Sequence, residues 1–437
     1  MKKDEICSKL RTYVREELSP TASERKLVSS LYKSVCDVLG SPAWLQIGSY
    51  PRYTAIRPLH DLDVLYIIGE WSADADPSET LTELKAALDE EFENPTDYTA
   101  KITLQSHSVT IAFETEGEEV FAVDVVPAYK DGKNGDGEDK YQVPEVIRKN
   151  RAERRVFVEQ LEKAGQSMTW IPSDPRGYIN QARDVNGVNG DFSKAVKLVK
   201  AWRYSCKEHN EDFPLKSFHL ELLVTEFFRR SPAASIFDAV FDFFVRLPEY
   251  IAEPRLRDKA DTTRFVDAYV AELTDKERDL VARLRDHFLI ALENIEEDSS
   301  VADLVAAGER HRASNSEQYL FDQGIPVLTE ATLTIIGNVQ QREGGFRARI
   351  LDALGVIEVD RKIDFQLGPR TPAADVFKWK VKNDDNSPQP RGEITDHRTL
   401  RSPEHTKYNG RHFVECFAIR NGVCIARSRQ NVVLRAE

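Results

Sequence analysis

The chain has 437 residues, 41% of them hydrophobic and 30% charged, and 60 Lys+Arg against 73 Asp+Glu leave a net charge of −13. That length can bury two or three cores, and no apolar run approaches the roughly 18 residues that a membrane span needs. The acidic balance argues against broad coating of nucleic acid, which rests on many phosphate neutralisations, though not against one local basic groove. The first residues, Met1 to Lys9, carry charges and no apolar stretch, so they do not read as a signal peptide. Cys7, Cys36, Cys206, Cys416 and Cys424 are scattered with no C-x-x-C pair, which fits unbridged thiols in a reducing cytoplasm.

Ile6, Leu10, Val14 and Leu18, then Leu27, Leu31, Val35 and Leu39, recur at helical spacing and predict core-facing helices over 1–40. Strand-like segments follow at 44–49, 61–68, 101–113 and 119–127, with an amphipathic helix near 79–93. Together they predict a mixed sheet with helices on one side.

The chemistry concentrates in this region. A Gly48-Ser49 turn leads into Asp61 and Asp63, which alternation places on one face of a strand that then becomes apolar. Two half-buried carboxylates side by side repel unless a cation lies between them. Asp124 is the only charge inside the apolar part of the run 119–127, where a lone carboxylate is expensive without a partner. Hard cations fit this set, Mg²⁺ above all, because it takes one or two carboxylates plus substrate phosphates. Three carboxylates on adjacent strands can hold two such ions, which stabilise the attacking and leaving oxygens of a phosphoryl displacement. The turn offers backbone N–H groups and a hydroxyl to a triphosphate. Read as mere structure, Asp61 is a turn residue and Asp124 caps a bulge, which requires two independent coincidences around one turn.

Gly48-Ser49, Asp61-x-Asp63 and the distal Asp124 resemble the active site of DNA polymerase beta-like nucleotidyltransferases. The Thr54-Ala55-Ile56 step is similar to the branch holding oligoadenylate synthetase, cyclic GMP-AMP synthase and the bacterial CD-NTases (the SMODS group). The resemblance covers roughly the first 130 residues. It implies nucleotidyl transfer and leaves the acceptor open.

Lys130 to Asp139 is a glycine-rich acidic stretch that reads as a flexible connection, or else as a gate at the rim of the site. From about 144 to 320 the period is helical. In Phe192–Tyr204, Ala195, Val196, Val199 and Trp202 form an apolar stripe, while Lys197 and Lys200 share a face. A second helix opens near Ser217, where a helix N-terminus and a hydroxyl make an anion site. On the residues alone, a surface lysine pair and a capping serine, each common, are the favoured reading. The order of elements is similar to the helical spine of CD-NTases. That resemblance implies that Lys200 and Ser217 grip the donor triphosphate and that Phe218 stacks on a base. Many relatives carry tyrosine at the Phe218 position, so a hydroxyl contact is lost here.

Residues 325–437 differ in kind. They hold 18 Lys+Arg against 14 Asp+Glu, which leaves 42 against 59 for residues 1–324. The segments Thr332–Gly337, Phe377–Val381, His412–Ile419 and Val423–Ala426 read as strands, and Arg420-Asn421-Gly422 as a hairpin turn. Trp379-Lys-Val-Lys-Asn383, Arg391-Gly392 and Thr406-x-Tyr408-x-Gly410-x-His412-x-x-Glu415-Cys416 resemble the adenylyl/guanylyl and SMODS C-terminal sensor domain. The implied role is sensing a ligand that controls the synthase. Trp379, Asn383, Arg391, Tyr408 and His412 are candidates to line that ligand's pocket, which suits a nucleotide or short oligonucleotide. His405, His412, Cys416 and Cys424 match no zinc spacing and read as core cysteines and a hydrogen-bonded histidine.

The expected fold is α+β, with a nucleotidyltransferase core over 1–143, a helical domain over 144–320 that completes the cleft, and a β-rich domain over 326–437. The expected activity is template-independent joining of nucleoside triphosphates into a cyclic or short linear oligonucleotide signal, with release of pyrophosphate. Asp61, Asp63 and Asp124 are the expected catalytic and metal residues for two Mg²⁺ ions, with Mn²⁺ as a substitute. Gly48, Ser49, Lys200, Ser217 and Phe218 are the expected nucleotide contacts. The resemblance implies cytoplasmic antiphage signalling with a separate effector protein that reads the product. Two alternatives remain open: a relative making linear, including deoxy, oligonucleotides, and a transferase that modifies an RNA 3′ end or a protein. The acidic balance of residues 1–324 disfavours action on long RNA.

Overall fold

The computed structural model describes residues 1–38, 44–105, 107–146, 168–340, 349–397 and 401–435. Leu39 and the stretch 147–167, read above as helical, lie outside the described residues. The chain forms two compact units, one of Leu10–Asp279 and one of Met1–Lys9 with Leu280–Glu437. Residues 280–320 therefore group with the β-rich region. Among the described residues no helix is long and apolar enough to cross a membrane.

The first unit is built on a seven-stranded sheet. Strands β1 (Trp44–Ile47), β2 (Asp61–Glu70), β3 (Thr99–Leu104), β4 (Val109–Thr115) and β5 (Glu118–Lys133) lie in the order β1-β2-β5-β4-β3. β6 (Asp139–Val146) pairs with β5, and β7 (Met168–Ser173) with β6. β2 and β5 run parallel, and the other pairs are antiparallel. Helices Ala22–Val38 and Pro77–Glu91 cover one face, where Val28, Leu31, Val35, Leu81, Leu84 and Leu88 meet Leu62, Val64, Ile111, Val123 and Val125. Alternation then sends residues 61, 63 and 124 to the opposite face. Asp76 caps the second of these helices by accepting from Ser78 and Glu79 N–H, both at 2.8 Å.

Two expectations need correction here. The run 101–113 is not one strand but parts of β3 and β4, joined by a turn in which Gln105 N–H donates to Ser108 O at 2.8 Å. The polar stretch 105–108 at its middle is the sequence mark of that break. Likewise, Lys130–Asp139 is not a loose connection but the tip of the β5–β6 hairpin, closed by Asn134 N–H to Glu138 O at 2.8 Å. Gly132 and Gly137 supply the positive φ values that the tip requires. The period beyond 144 also becomes helical later than read, since β6 runs to Val146 and β7 spans Met168–Ser173.

Four helices follow, Pro175–Val188, Asp191–His209, Ser217–Arg230 and Ile236–Tyr250. The predicted stripe of Ala195, Val196, Val199 and Trp202 is buried, and the Trp202 ring meets Phe244 edge-on at 4.8 Å.

In the second unit, β8 (Ile335–Val339), β9 (Arg349–Ile350), β11 (Lys362–Leu367) and β14 (Arg401–His405) form a four-stranded sheet. β10 (Val356–Glu358), β12 (Val376–Lys382), β13 (Ile394–His397), β15 (Gly410–Arg420) and β16 (Val423–Arg435) form a five-stranded one. The two sheets share a core in which Ile335, Ile363 and Phe365 meet Trp379, Val414, Cys416 and Val432. Asn421 and Gly422, at φ 52° and 75°, make the predicted β15–β16 turn, since a two-residue hairpin of the favoured hand needs positive φ at both positions. All five cysteines are free, and all but Cys36 are buried.

Trp379 sits at the centre of this core with 0% exposure and an indole N–H that has no hydrogen-bond partner. Trp379→Ala should therefore cost about 3–5 kcal/mol in unfolding free energy, while Trp379→Phe should cost far less, because no hydrogen bond is lost. Chemical denaturation of the full chain followed by circular dichroism checks both.

Candidate active site

β1 ends at Ile47, opposite Asp63, and the chain then turns away through Gly48. Gly48 has φ 76°, a conformation that favours glycine. A Cβ there would stand 1.8 Å from Asp63 Oδ2. Backbone and space each require glycine at this position. The turn closes with Thr54 N–H donating to Ser49 O at 3.0 Å.

Asp63 and Asp124 are register partners across the parallel strands β2 and β5, with Asp61 two residues earlier on the same face. Burial, then the charges of Asp61 and Asp124, raise the Asp63 carboxyl to about 7 against the pull of Arg52 and Lys200. Carboxylates crowded to this degree favour a bound cation. The Thr110 hydroxyl donates to Asp124 Oδ1, and the Ser108 hydroxyl reaches the same oxygen at 3.5 Å. One oxygen of Asp124 is thus committed to neighbouring hydroxyls. Ser108 and Thr110 escape a sequence reading because only the β4–β5 register brings them beside Asp124.

Lys200 stands elsewhere than the sequence suggests. It is not on an exposed face but 6% exposed, with Nζ donating to Glu221 Oε2 at 2.6 Å and to Thr54 O and Oγ1 at 3.2 Å each. Its helical neighbour Lys197 bonds the Ser19 hydroxyl at 3.0 Å. Glu221, one helical turn after Ser217, also accepts from Arg52 Nε at 2.5 Å and from the Thr54 hydroxyl at 2.8 Å. Burial alone would raise this carboxyl, but the Arg52 and Lys200 cations hold it down, to about 2. This ion network ties the glycine turn to helices Asp191–His209 and Ser217–Arg230. Glu221 is hidden in the sequence because it stands among leucines and reads as a surface position between core ones.

Ser217 is the first residue of its helix and is exposed, with Lys216 at the capping position. Phe218 is half-buried, with the Arg52 guanidinium 4.9 Å from its ring centre and Tyr178 meeting it edge-on at 5.0 Å. Gly48, Asp63, Lys200 and Phe218 are therefore linked through Arg52 and Thr54.

The three aspartates, oxygen donors throughout, suit a hard divalent cation. Among the described residues, no three His, Cys, Asp or Glu side chains are arranged to hold an ion unaided. A small hard cation commonly takes one or two carboxylates and completes its shell from substrate phosphates and water, so a closed protein cage is not required.

The C-terminal candidates divide. Strand alternation turns Trp379 into the core, while its neighbours Lys378 and Lys380 lie on the opposite face of the strand. Asn383, Arg391, Tyr408 and His412 do come together, lining a cavity of about 280 Å³. The Tyr408 hydroxyl donates to Gln389 Oε1 at 3.1 Å, and Arg391 pairs with Glu404 at 2.9 Å. His412 Nδ1 accepts from Asp384 N–H at 3.2 Å, and its Nε2 is buried without a partner.

Residues 313–435 match the family model of the Adenylyl/Guanylyl and SMODS C-terminal sensor domain. No curated protein matches the sequence. Among solved structures the chain is similar to the CdnC:HORMA-deltaN complex of Escherichia coli MS115-1, at 16% identity and a TM-score of 0.50 over 71% of this chain and 99% of that one. It is similar to the same organism's CdnC with ATP at 16% identity and a TM-score of 0.50, over 70% and 98% of the two chains. The α+β fold expected from the CD-NTase resemblance is thus the fold present, with the sensor-type domain at its C-terminal end.

The Glu221 network generates two expectations. Its folded pKa lies below the ordinary value of 4.5, so its contribution is present above that pH and is lost as pH falls towards 2. Unfolding free energy measured with urea should drop by about 2 kcal/mol more between pH 5 and pH 3 in the wild type than in Glu221→Gln. Lys200→Met should cost about 3 kcal/mol at pH 7, as breaking a buried pair does, rather than the ~0.5 kcal/mol of a surface lysine.

Proposed function

We propose that the chain is a metal-dependent, template-independent nucleotidyltransferase that joins nucleoside triphosphates into a cyclic or short linear oligonucleotide signal. The observation that carries this reading is the Gly48 turn packed on Asp63, with Asp124 in register beside it on the same sheet face. The fold likeness to CdnC, a protein solved with ATP, supports it.

Asp61, Asp63 and Asp124 would hold the divalent ions. When bound, a pair of Mg²⁺ ions supplies charge stabilisation to the attacking and leaving oxygens of an in-line displacement. The chain's own groups do the rest. The N–H groups of the Gly48-Ser49 turn and the Ser49 hydroxyl receive triphosphate oxygens. Thr110 and Ser108 fix the rotation of Asp124, so that its remaining oxygen faces the site in one orientation. Arg52 and Lys200 hold the turn through Glu221 and lend positive charge to it, so Lys200 acts on the donor nucleotide by positioning. Ser217 offers a hydroxyl at a helix N-terminus, and Phe218 an aromatic surface for a base. The β-rich module acts as a ligand sensor, and the product is read by a separate effector in antiphage defence. CdnC is seen with a HORMA protein, so a regulatory protein partner is a further expectation.

Asp61→Asn with Asp63→Asn should reduce pyrophosphate release to below about a hundredth of wild type, while the melting temperature is held or raised as repulsion is relieved. Purified chain is incubated with Mg²⁺ or Mn²⁺ and each NTP and dNTP, and products are identified by mass spectrometry. Release above that level in the double variant overturns the assignment. A nucleotide appended only to added RNA or protein would replace the oligonucleotide reading.

A further inference from the structure

A cavity of about 770 Å³ lies in the second unit on the outer face of the five-stranded sheet. It falls in the range of small-molecule sites. Alternation along β12 puts Lys378, Lys380 and Lys382 on that outer face, opposite the core residue Trp379. Lys380 and Lys382 line the cavity yet are only 3% and 4% exposed. Lysine is rarely buried to that extent unless paired.

Charge pairing in the cavity is incomplete. Lys382 meets Asp385 at 2.5 Å, and Arg429 meets Glu415 at 3.0 Å. Lys380, Arg411 and Arg427 have no carboxylate within ion-pair distance among the described residues. The Lys380 ammonium donates to Gln318 O at 2.6 Å and lies 4.2 Å from the Tyr319 ring centre, which leaves donor capacity unused. Arg427 bonds only the neutral Asn294 Oδ1, at 2.7 Å. Among the described residues, Glu293 is the cavity carboxyl with a buried oxygen that has no hydrogen-bond partner. Burial raises it to about 8, so it is mostly the neutral acid at pH 7. The cavity therefore holds surplus positive charge, aromatic rings at Tyr319 and Phe413, and a carboxyl group able to donate and accept hydrogen bonds.

We infer that this cavity is a binding site for a phosphate-bearing nucleotide, with Lys380, Arg411 and Arg427 receiving the phosphates and Glu293 the base edge. It rests on the sensor reading of the module and deepens it by giving it a site and a ligand class, and it adjoins the smaller cavity of Tyr408 and His412 through Asn383 and Phe413.

The test uses the full chain carrying Asp61→Asn and Asp63→Asn, in EDTA, so that binding is read without catalysis. Calorimetric titrations with ATP, tripolyphosphate and adenosine are compared with the same titrations after adding Arg411→Gln and Arg427→Gln, and separately Lys380→Met. ATP should bind saturably and lose about tenfold in affinity with either change, while adenosine and tripolyphosphate each bind about tenfold more weakly than ATP. No saturable ATP binding, or ATP affinity unmoved by both changes, overturns the inference. Tripolyphosphate binding as tightly as ATP overturns recognition of a nucleotide. Circular dichroism checks that each variant folds, and the half-exposed arginine pair keeps the test decisive if Lys380→Met unfolds. Pyrophosphate release by the otherwise wild-type chain is a separate readout, so failure here and failure of the synthase reading are distinguishable.

Discussion

Much of the first unit follows from one buried carboxylate. Glu221 is 1% exposed, inside a helix whose neighbouring side chains are apolar. An isolated charge there would be prohibitively expensive, so the fold must bring cations to it. Arg52 arrives from the turn after β1, Lys200 from the preceding helix, and Thr54 adds a hydroxyl. Satisfying that single group fixes where the turn lies against the helices. The position of the turn fixes Gly48 against Asp63. The geometry of the carboxylate face is thus set from a side chain that touches none of the three aspartates.

What could be read from the sequence was whatever depends on local spacing. Alternation placed Asp61 and Asp63 together, and the isolation of Asp124 in an apolar run marked it as needing a partner. The helical stripe around Trp202 and the Asn421-Gly422 hairpin were equally local. Pairing between distant segments was not legible. Thr110 and Ser108 reach Asp124 only through strand register, and Arg52 reaches Glu221 across 169 positions. The burial of Lys200 was missed for the same reason: helical spacing gives the face, and only packing decides whether that face meets solvent. A hairpin was hidden by composition, since glycine and acidic residues suit loops and turn tips alike, whereas the break between β3 and β4 does carry a polar mark at 105–108.

The second unit shows the same limit in a β context. Trp379 attracted notice as an aromatic residue within a motif, but a strand offers each residue only one of two faces. Its neighbours Lys380 and Lys382 took the functional-looking side, which the chemistry of large rings had obscured. Four other candidates, Asn383, Arg391, Tyr408 and His412, share a cavity because they sit on loops and strand ends at one edge of the two sheets.

Arg52 has two occupations, since the guanidinium that binds Glu221 also lies over Phe218. One side of that ring is consequently already a protein surface, and Tyr178 adjoins the ring as well. A platform with at most one open side can be covered by a single planar group and cannot be sandwiched between two. In the proposed synthase only one of two neighbouring nucleotides could rest on Phe218, and the other would be placed by different means. The ring carries no polar atom, so a base stacked on it would be held without being identified. Discrimination among bases would then fall to contacts at their edges.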